Sequence, residues 1–376
     1  MKSYLQNREQ YVSISGRNSI KRQLSYGVPQ GSILGPLLFI IYINDMPKVH
    51  NLAKFVLYAD DANIILTGKN IEEIHQQVEL LTKTLTDWVD CNGLKLNLKK
   101  TCFMIFSPHK TNIEYDLRMS NVNIERKSTA RFLGVLINEK LNWTQHIAAL
   151  RNKMARHIGV MYKLKGIIPL SARLNIFHSF VQSHVNYCSL IWGFSSRSNI
   201  ESIFSAQKKG IRAVIPGFAN YFYKDGQTPH HTKSSFTKYG VLSVQNIIAK
   251  NALIFTYKLH MQPQSLPPSI VEIFPADAPT HGSTHVTGSE WLRKYSSGGY
   301  NKSIFYKGPL LYADIANNEL CSTFPNTYKR MVKTLLLSAQ SGGDPNEWQY
   351  TNHKLYSLAG LRRSKRNKLE HVYQDC

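Results

Sequence analysis

Two adjacent carboxylates, Asp60 and Asp61, stand between the apolar runs Phe55-Val56-Leu57-Tyr58-Ala59 and Ala62-Asn63-Ile64-Ile65-Leu66. Two short strands closed on so tight a turn push both acids out of one end of a sheet, within reach of a common cation. Unpaired they repel, and a divalent ion relieves the repulsion. Two ions held by such carboxylates can activate an attacking 3′ hydroxyl and stabilise a leaving pyrophosphate in an in-line displacement. Taken alone, the pair reads as an ordinary acidic hairpin turn, because Asp is a common turn former.

The pair is not alone. Upstream, Gly27-Val28-Pro29-Gln30-Gly31-Ser32-Ile33-Leu34-Gly35-Pro36 sets glycines and the polar Gln30 at a helix entrance, where backbone approaches a ligand closely and phosphate is favoured. Downstream, Lys99 and Lys100 follow Asn97, where a cation can meet developing pyrophosphate charge.

The elements around these residues follow from periodicity. A hairpin is expected over residues 4–28 with a turn at Gly16-Arg17-Asn18, and a buried helix from Ser32, its cap, to Asn44. Ile71, Ile74, Val78, Leu81, Leu85 and Trp88 recur at helical spacing behind an Asn70/Glu73 capping box, and Gly93 stops that helix. Leu94, Leu96 and Leu98 alternate with polar residues, and strands are expected at 102–106, around 122–124 and over 132–137. The fold class of this first region is α+β with a largely antiparallel sheet. After Asn142 the pattern becomes helical, with helices expected at 144–165, 172–185, 200–214 and 241–261. A loop at 217–238, a linker at 263–299 and a small last unit at 304–339 complete the reading, with no internal repeat.

Charge divides the chain more sharply than length. Of its 376 residues 46 are Lys or Arg and 24 Asp or Glu, a formal net charge of +22. Residues 143–260 hold 15 basic and 2 acidic side chains. Arg151, Lys153, Arg156, Lys163, Lys165 and Arg173 lie away from most of the apolar positions of their helices, a footprint for a polyanion, with nucleic acid the leading partner. The longest apolar stretch, Pro36 to Ile43, is far short of the ~20 residues a membrane span needs, and the first residues lack a signal-peptide core. The chain therefore reads as intracellular, with no membrane partner. Five scattered cysteines lack zinc-site spacing, so reduced thiols and no structural metal are expected.

In order along the chain, these segments resemble the polymerase core of reverse transcriptases, those of non-long-terminal-repeat (non-LTR) retrotransposons of the jockey type. Gly27 to Phe39 is similar to the family's helix-opening motif, Tyr58-Ala59-Asp60-Asp61 to its metal-binding hairpin, Leu96-Asn97-Leu98-Lys99-Lys100-Thr101 to its lysine motif, and Phe132-Leu133-Gly134-Val135 to its primer-grip hairpin. Leu141-Asn142-Trp143-Thr144-Gln145-His146-Ile147 resembles the entry into the thumb. Residues 4–215 carry the likeness.

The resemblance implies a partial polymerase palm over 1–142, a basic all-helical thumb over 143–216, a helix and linker over 217–300, and a C-terminal region of unknown role over 301–376. It implies Mg²⁺ or Mn²⁺ on Asp60 and Asp61, Lys100 as general acid for the pyrophosphate, and Gln30 and Gly31 shaping the nucleotide pocket. Tyr58 packs under the primer end on this view. Phe132, Leu133 and Gly134 hold the primer backbone, a contact that positions without reading sequence. Arg151, Lys153, Arg156, Lys163 and Lys165 bind nucleic acid. The implied partners are an RNA template, a DNA primer or target, the RNA–DNA duplex and deoxynucleoside triphosphates, met in the nucleus or cytoplasm. The family's third carboxylate belongs to a palm strand upstream of Tyr4, so the expectation is an amino-terminally truncated polymerase, inactive alone. A non-catalytic nucleic-acid-binding remnant is the alternative.

Overall fold

The computed structural model describes residues 2–107, 115–215, 232–273, 304, 309 and 325–341. They mix helix and sheet, as an α+β chain should, in two compact units, Met1–Lys127 and Ser128–Cys376.

In the first unit a short helix α1 (Lys2–Leu5) precedes β1 (Arg8–Gln10), which pairs antiparallel with β4 (Arg22–Leu24). Between them β2 (Ser13–Ile14) and β3 (Arg17–Asn18) close on Ser15 and Gly16, with φ of 50° and 79°. Two positive φ values suit a two-residue hairpin turn, because their twist matches that of the strands. The expected hairpin is present, its turn on Ser15-Gly16.

Helix α2 (Leu34–Ile43) starts one residue later than expected, with Ile33 at its N-cap, and the Ser32 hydroxyl just ahead of it accepts the Gly35 N–H at 3.1 Å. Its burial is corrected. Only Gly35 and Ile43 are buried, while Leu37, Ile40, Ile41 and Tyr42 are exposed. A helix apolar all round needs cover all round, and the described residues of this unit do not surround it.

Strands β5 (Lys54–Tyr58) and β6 (Asp61–Ile65) pair from Lys54 opposite Ile65 to Tyr58 opposite Asp61. Phe55, Leu57 and Ile64 pack on a core of Met46, Leu85, Val89, Met119 and Ile124. Helix α3 (Ile71–Cys91) supplies Leu85 and Val89. Its Asn70 side chain accepts the Glu73 N–H at 2.8 Å, while the Glu73 carboxylate reaches back to the Lys69 N–H at 2.9 Å. The alternating leucines form no strand: Leu94 and Leu98 join the core from an irregular segment. The short β7 (Cys102–Phe103) lies parallel to β9 (Val122–Arg126), which pairs antiparallel with β8 (Leu117–Met119).

The second unit opens with a hairpin, β10 (Thr129–Phe132) and β11 (Val135–Asn138), where the apolar pattern reads as one strand over 132–137 and the family resemblance as a hairpin at 132–135. Leu133 and Gly134 at φ 44° and 83° reverse the chain. Helices follow: α4 (Thr144–Lys163), α5 (Leu170–Phe177), a π-helical turn (His178–Gln182), α6 (Ser183–Asn186), α7 (Ser189–Trp192), α8 (Arg197–Val214), α9 (Thr232–Lys238), α10 (Val244–Met261), α11 (Pro268–Ile273) and α12 (Pro325–Ser341). Residues 232–238, expected as loop, are helical because Phe236 is drawn fully into the core. The rest of that loop, most of the expected linker and the basic run Arg362–Arg366 lie outside the described residues.

One apolar core joins α4, α8, α10 and α12 through Met154, Met161, Ile203, Ile211, Leu253 and Tyr328. Gly210 permits the close approach of α8, since a Cβ there would stand 2.9 Å from the Phe177 ring. The core also encloses a polar knot. Fully buried Gln207 donates to the Gln182 side chain and the Leu242 carbonyl, both at 2.9 Å, and accepts the Val244 N–H at 3.0 Å. Replacing Gln207 with Leu strands the Gln182 Oε1 and the Val244 N–H, while the Leu242 carbonyl keeps the Gln182 Nε2 at 3.1 Å, so a loss of about 1–3 kcal/mol in unfolding free energy is expected from denaturant titration.

Candidate functional site

In the first unit the acidic pair sits where its spacing places it. Ala59 and Asp60 form the two-residue turn and Asp61 opens β6, so both carboxylates emerge at one end of the hairpin, exposed to solvent. Ala59 takes the left-handed region at φ 49°. For a residue with a Cβ this backbone costs about 1–3 kcal/mol and survives where the surrounding strands impose it. Tyr58, on the outward face of β5, is 63% exposed. Gln30 and exposed Gly31 (φ 80°) occupy the loop ahead of α2. Exposed Lys100 ends a turn in which its N–H donates to the Asn97 carbonyl at 2.9 Å. Among the described residues, no hydrogen bond or ion pair joins the Gln30–Gly31 loop or Lys100 to the acidic turn, and no group of three His, Cys, Asp or Glu side chains is placed to hold a metal.

In the second unit the structure does bring predicted residues together. The Leu136 N–H donates to His146 Nδ1 on α4 at 3.3 Å, and the Thr129 hydroxyl donates to the Gln145 side chain. From the other side, the Tyr187 hydroxyl donates to the carbonyl of Leu133 at 2.5 Å. The turn Phe132-Leu133-Gly134, strained at Leu133, is therefore clamped between two helical segments. Gly134 and Lys153 line one small notch. Arg151, Arg156 and Lys163 are exposed along α4, and Lys165 follows its end, half-buried.

One basic residue is misplaced by the sequence reading. Arg173 is only 5% exposed, and its Nε and Nη1 have no hydrogen-bond partner. It faces inward near Lys165, whose pKa is lowered by burial and then by the Arg173 charge. Charge patterning marks helix faces but not the packing that turns one of them inward.

Sequence reasoning also missed Arg131, His184 and Tyr187, and placed His146 only within the thumb-entry segment; all four frame the same notch. No local pattern signals them, because Tyr187 meets Leu133 across 54 residues of chain. His146 is pushed below the ordinary histidine range by burial, then by Lys153 and Arg131. Burial, His157 and Lys153 do the same to His184. Burial and Lys333 lower His178, and burial alone lowers His260. A histidine with a lower pKa folded than unfolded binds more protons when unfolded, so its contribution is full above the ordinary value of 6.5 and declines as pH falls below it. The melting temperature is therefore expected to drop between pH 7 and pH 5, measured by circular dichroism at fixed ionic strength. A flat profile would contradict these environments.

Among the described residues, no helix is long and apolar enough to cross a membrane. Residues 1–137 match the family model described as reverse transcriptase (RNA-dependent DNA polymerase). The chain is 25% identical over 224 residues to the probable RNA-directed DNA polymerase from transposon X-element of Drosophila melanogaster, covering 57% of this chain and 24% of that protein. It is 28% identical over 229 residues to the corresponding protein of transposon BS, covering 57% and 25%. It is 24% identical over 225 residues to the RNA-directed DNA polymerase from mobile element jockey, covering 57% and 24%, both from the same fly. The chain thus spans about a quarter of the length of these relatives. No solved structure matches it. Residues 1–137 thus match the reverse transcriptase family model, and the chain is similar to proteins of jockey and other non-LTR retrotransposons.

Proposed function

We propose that this chain carries the catalytic hairpin and the duplex-gripping helices of an RNA-directed DNA polymerase that adds deoxynucleotides to a primer 3′ hydroxyl on an RNA template. The observation that carries this reading is the Tyr58-Ala59-Asp60-Asp61 turn, with two carboxylates at one strand end, inside the segment that matches the family model. Residues 1–142 act as part of a palm, 143–216 as a thumb and 217–300 as a helix and linker, with 301–376 given no role.

The donor set of the turn fits a hard cation, since Mg²⁺ is commonly held by one or two carboxylates, with substrate phosphates and water completing its shell. Asp60 is the direct ligand and Asp61 the second acid, and bound Mg²⁺ or Mn²⁺ supplies charge neutralisation at the attacking and leaving oxygens. Gln30 and Gly31 shape the nucleotide pocket, Tyr58 supports the primer end, and Lys100 donates a proton to the departing pyrophosphate. Phe132, Leu133 and Gly134 position the primer strand. The partners are the RNA template, DNA primer or target, their duplex and deoxynucleoside triphosphates, in the nucleus or cytoplasm.

The test is primer extension by this chain lengthened upstream through a palm strand bearing a further aspartate. Robust extension, lost by about 10³-fold or more in Asp60→Asn, supports the reading. Extension unaffected by that substitution sinks it. A non-catalytic duplex-binding role is the second reading, favoured by one observation: among the described residues, only two carboxylates gather at the hairpin.

A further inference from the structure

Three rings line up at the surface of the second unit. His157 of α4 stands 5.0 Å from Phe180 of the π-helical turn, tilted by 48°, and 5.3 Å from His184 of α6, stacked at an interplanar angle of 10°. The His157 Nδ1–H donates to the Phe180 carbonyl at 3.0 Å, which holds the imidazole beside that turn. Neither Phe180 nor His157 lines the notch beside Gly134.

The π-helical turn decides which side chains face out. Phe177, Val181 and Val185 are fully buried at intervals of four, a spacing that a π turn accommodates better than the 3.6 residues per turn of an α-helix. Phe180 falls off that line and is 48% exposed. Val160, three residues beyond His157 on α4, is exposed beside it. Insertions of this kind often accompany functional sites.

The charge around the rings has one sign. Residues 144–192 hold six Lys and Arg and no Asp or Glu. Lys153 lies four residues before His157, on the same face of α4, and its charge reaches His184. Such a field favours a polyanion over an apolar protein partner. A polyanion with unpaired bases also offers flat π faces to an exposed ring, whereas bases inside a duplex already cover one another.

We propose that Phe180, backed by His157 and His184, is a stacking platform for an unpaired base of single-stranded nucleic acid, with Lys153 beside it for the adjoining phosphate. This rests on the nucleic-acid-binding part of the proposed function and goes beyond its duplex grip, since it names a strand outside the duplex as a second class of ligand. Stacking reads no sequence, because every base has a π face.

The experiment uses the full 376-residue chain with a short oligo-dA and an abasic strand of the same length and charge, read by fluorescence anisotropy. Phe180→Leu keeps apolar bulk but removes the ring, and it should weaken oligo-dA binding roughly tenfold, within the range for the loss of one stacked base. Phe180→Trp should retain that affinity. Neither variant should change binding of the abasic strand or of blunt duplex. Phe180 is outside the core cluster, so both variants should melt as the parent does. Equal oligo-dA affinity in the parent and Phe180→Leu, with duplex binding intact, overturns the platform alone. So does a loss that extends to the abasic strand and the duplex, which would mark a structural effect. Self-association of the chain that Phe180→Leu dissolves would give this face to a second copy and also overturns the proposal. Absence of binding to any nucleic acid overturns both the platform and the reading beneath it.

Discussion

This 376-residue chain is expected to extend an oligo-dT primer on poly-rA with Mg²⁺ or Mn²⁺ no faster than its own Asp60→Asn, Asp61→Asn variant. Metal-assisted phosphoryl transfer is mainly positioning and charge stabilisation. Two ions ~3.5–4 Å apart need carboxylates on more than one side. Asp60 and Asp61 come from a single turn, and among the described residues no further His, Cys, Asp or Glu joins them in a metal-holding group. Groups that act as one catalytic unit are strongly non-additive, so this chain should fall about 10³-fold or more below a version lengthened through a strand that bears a third carboxylate. The comparison is made at equal protein concentration, with incorporated deoxynucleotide as the readout. Robust extension by the chain itself, lost in the double variant, would show that the two acids have a partner that the present assignment omits.

Replacing Arg151, Arg156 and Lys163 together with Ala should weaken binding to primer–template duplex about equally across sequences and flatten its salt dependence. All three are exposed on α4, clear of the core residues Met154, Ile158 and Met161, and the one bond among them to another helix, from Arg151 to the Ser202 hydroxyl at 3.5 Å, is itself exposed, so the substitutions leave the core intact. Each neutralised phosphate contributes roughly 0.9 to the slope of log affinity against log salt, and the triple variant should lose about 2–3 from that slope. Fluorescence anisotropy at several salt concentrations measures it. An unchanged slope would mean that these charges only solvate a helix face.

Local order was legible where neighbouring residues alone decide the outcome. The Asn70/Glu73 box, the Gly93 stop and the Ala59-Asp60 turn depend on hydrogen bonds and backbone angles within a few residues, so spacing and residue type determined them. Charge balance likewise marked α4, since an amphipathic helix must turn its lysines and arginines away from its apolar stripe. Four motifs in the family's order carry the resemblance to reverse transcriptases in the sequence alone.

What only the tertiary structure decided is which surfaces meet. Periodicity makes Arg173 look like Arg156, yet packing buries one and leaves the other in water. An apolar sequence made α2 look buried, but burial requires partners, and the described residues leave most of that helix exposed. Residues 232–238 carry weak helix signals, and it is the cost of leaving Phe236 in water that shapes them. The small notch beside Gly134 is the clearest case. Its walls come from residues 131, 153, 184 and 187, and no rule of short-range spacing relates a strand to a helix more than fifty residues away. Local sequence sets the turn of a backbone; only long-range packing sets which charges share a space.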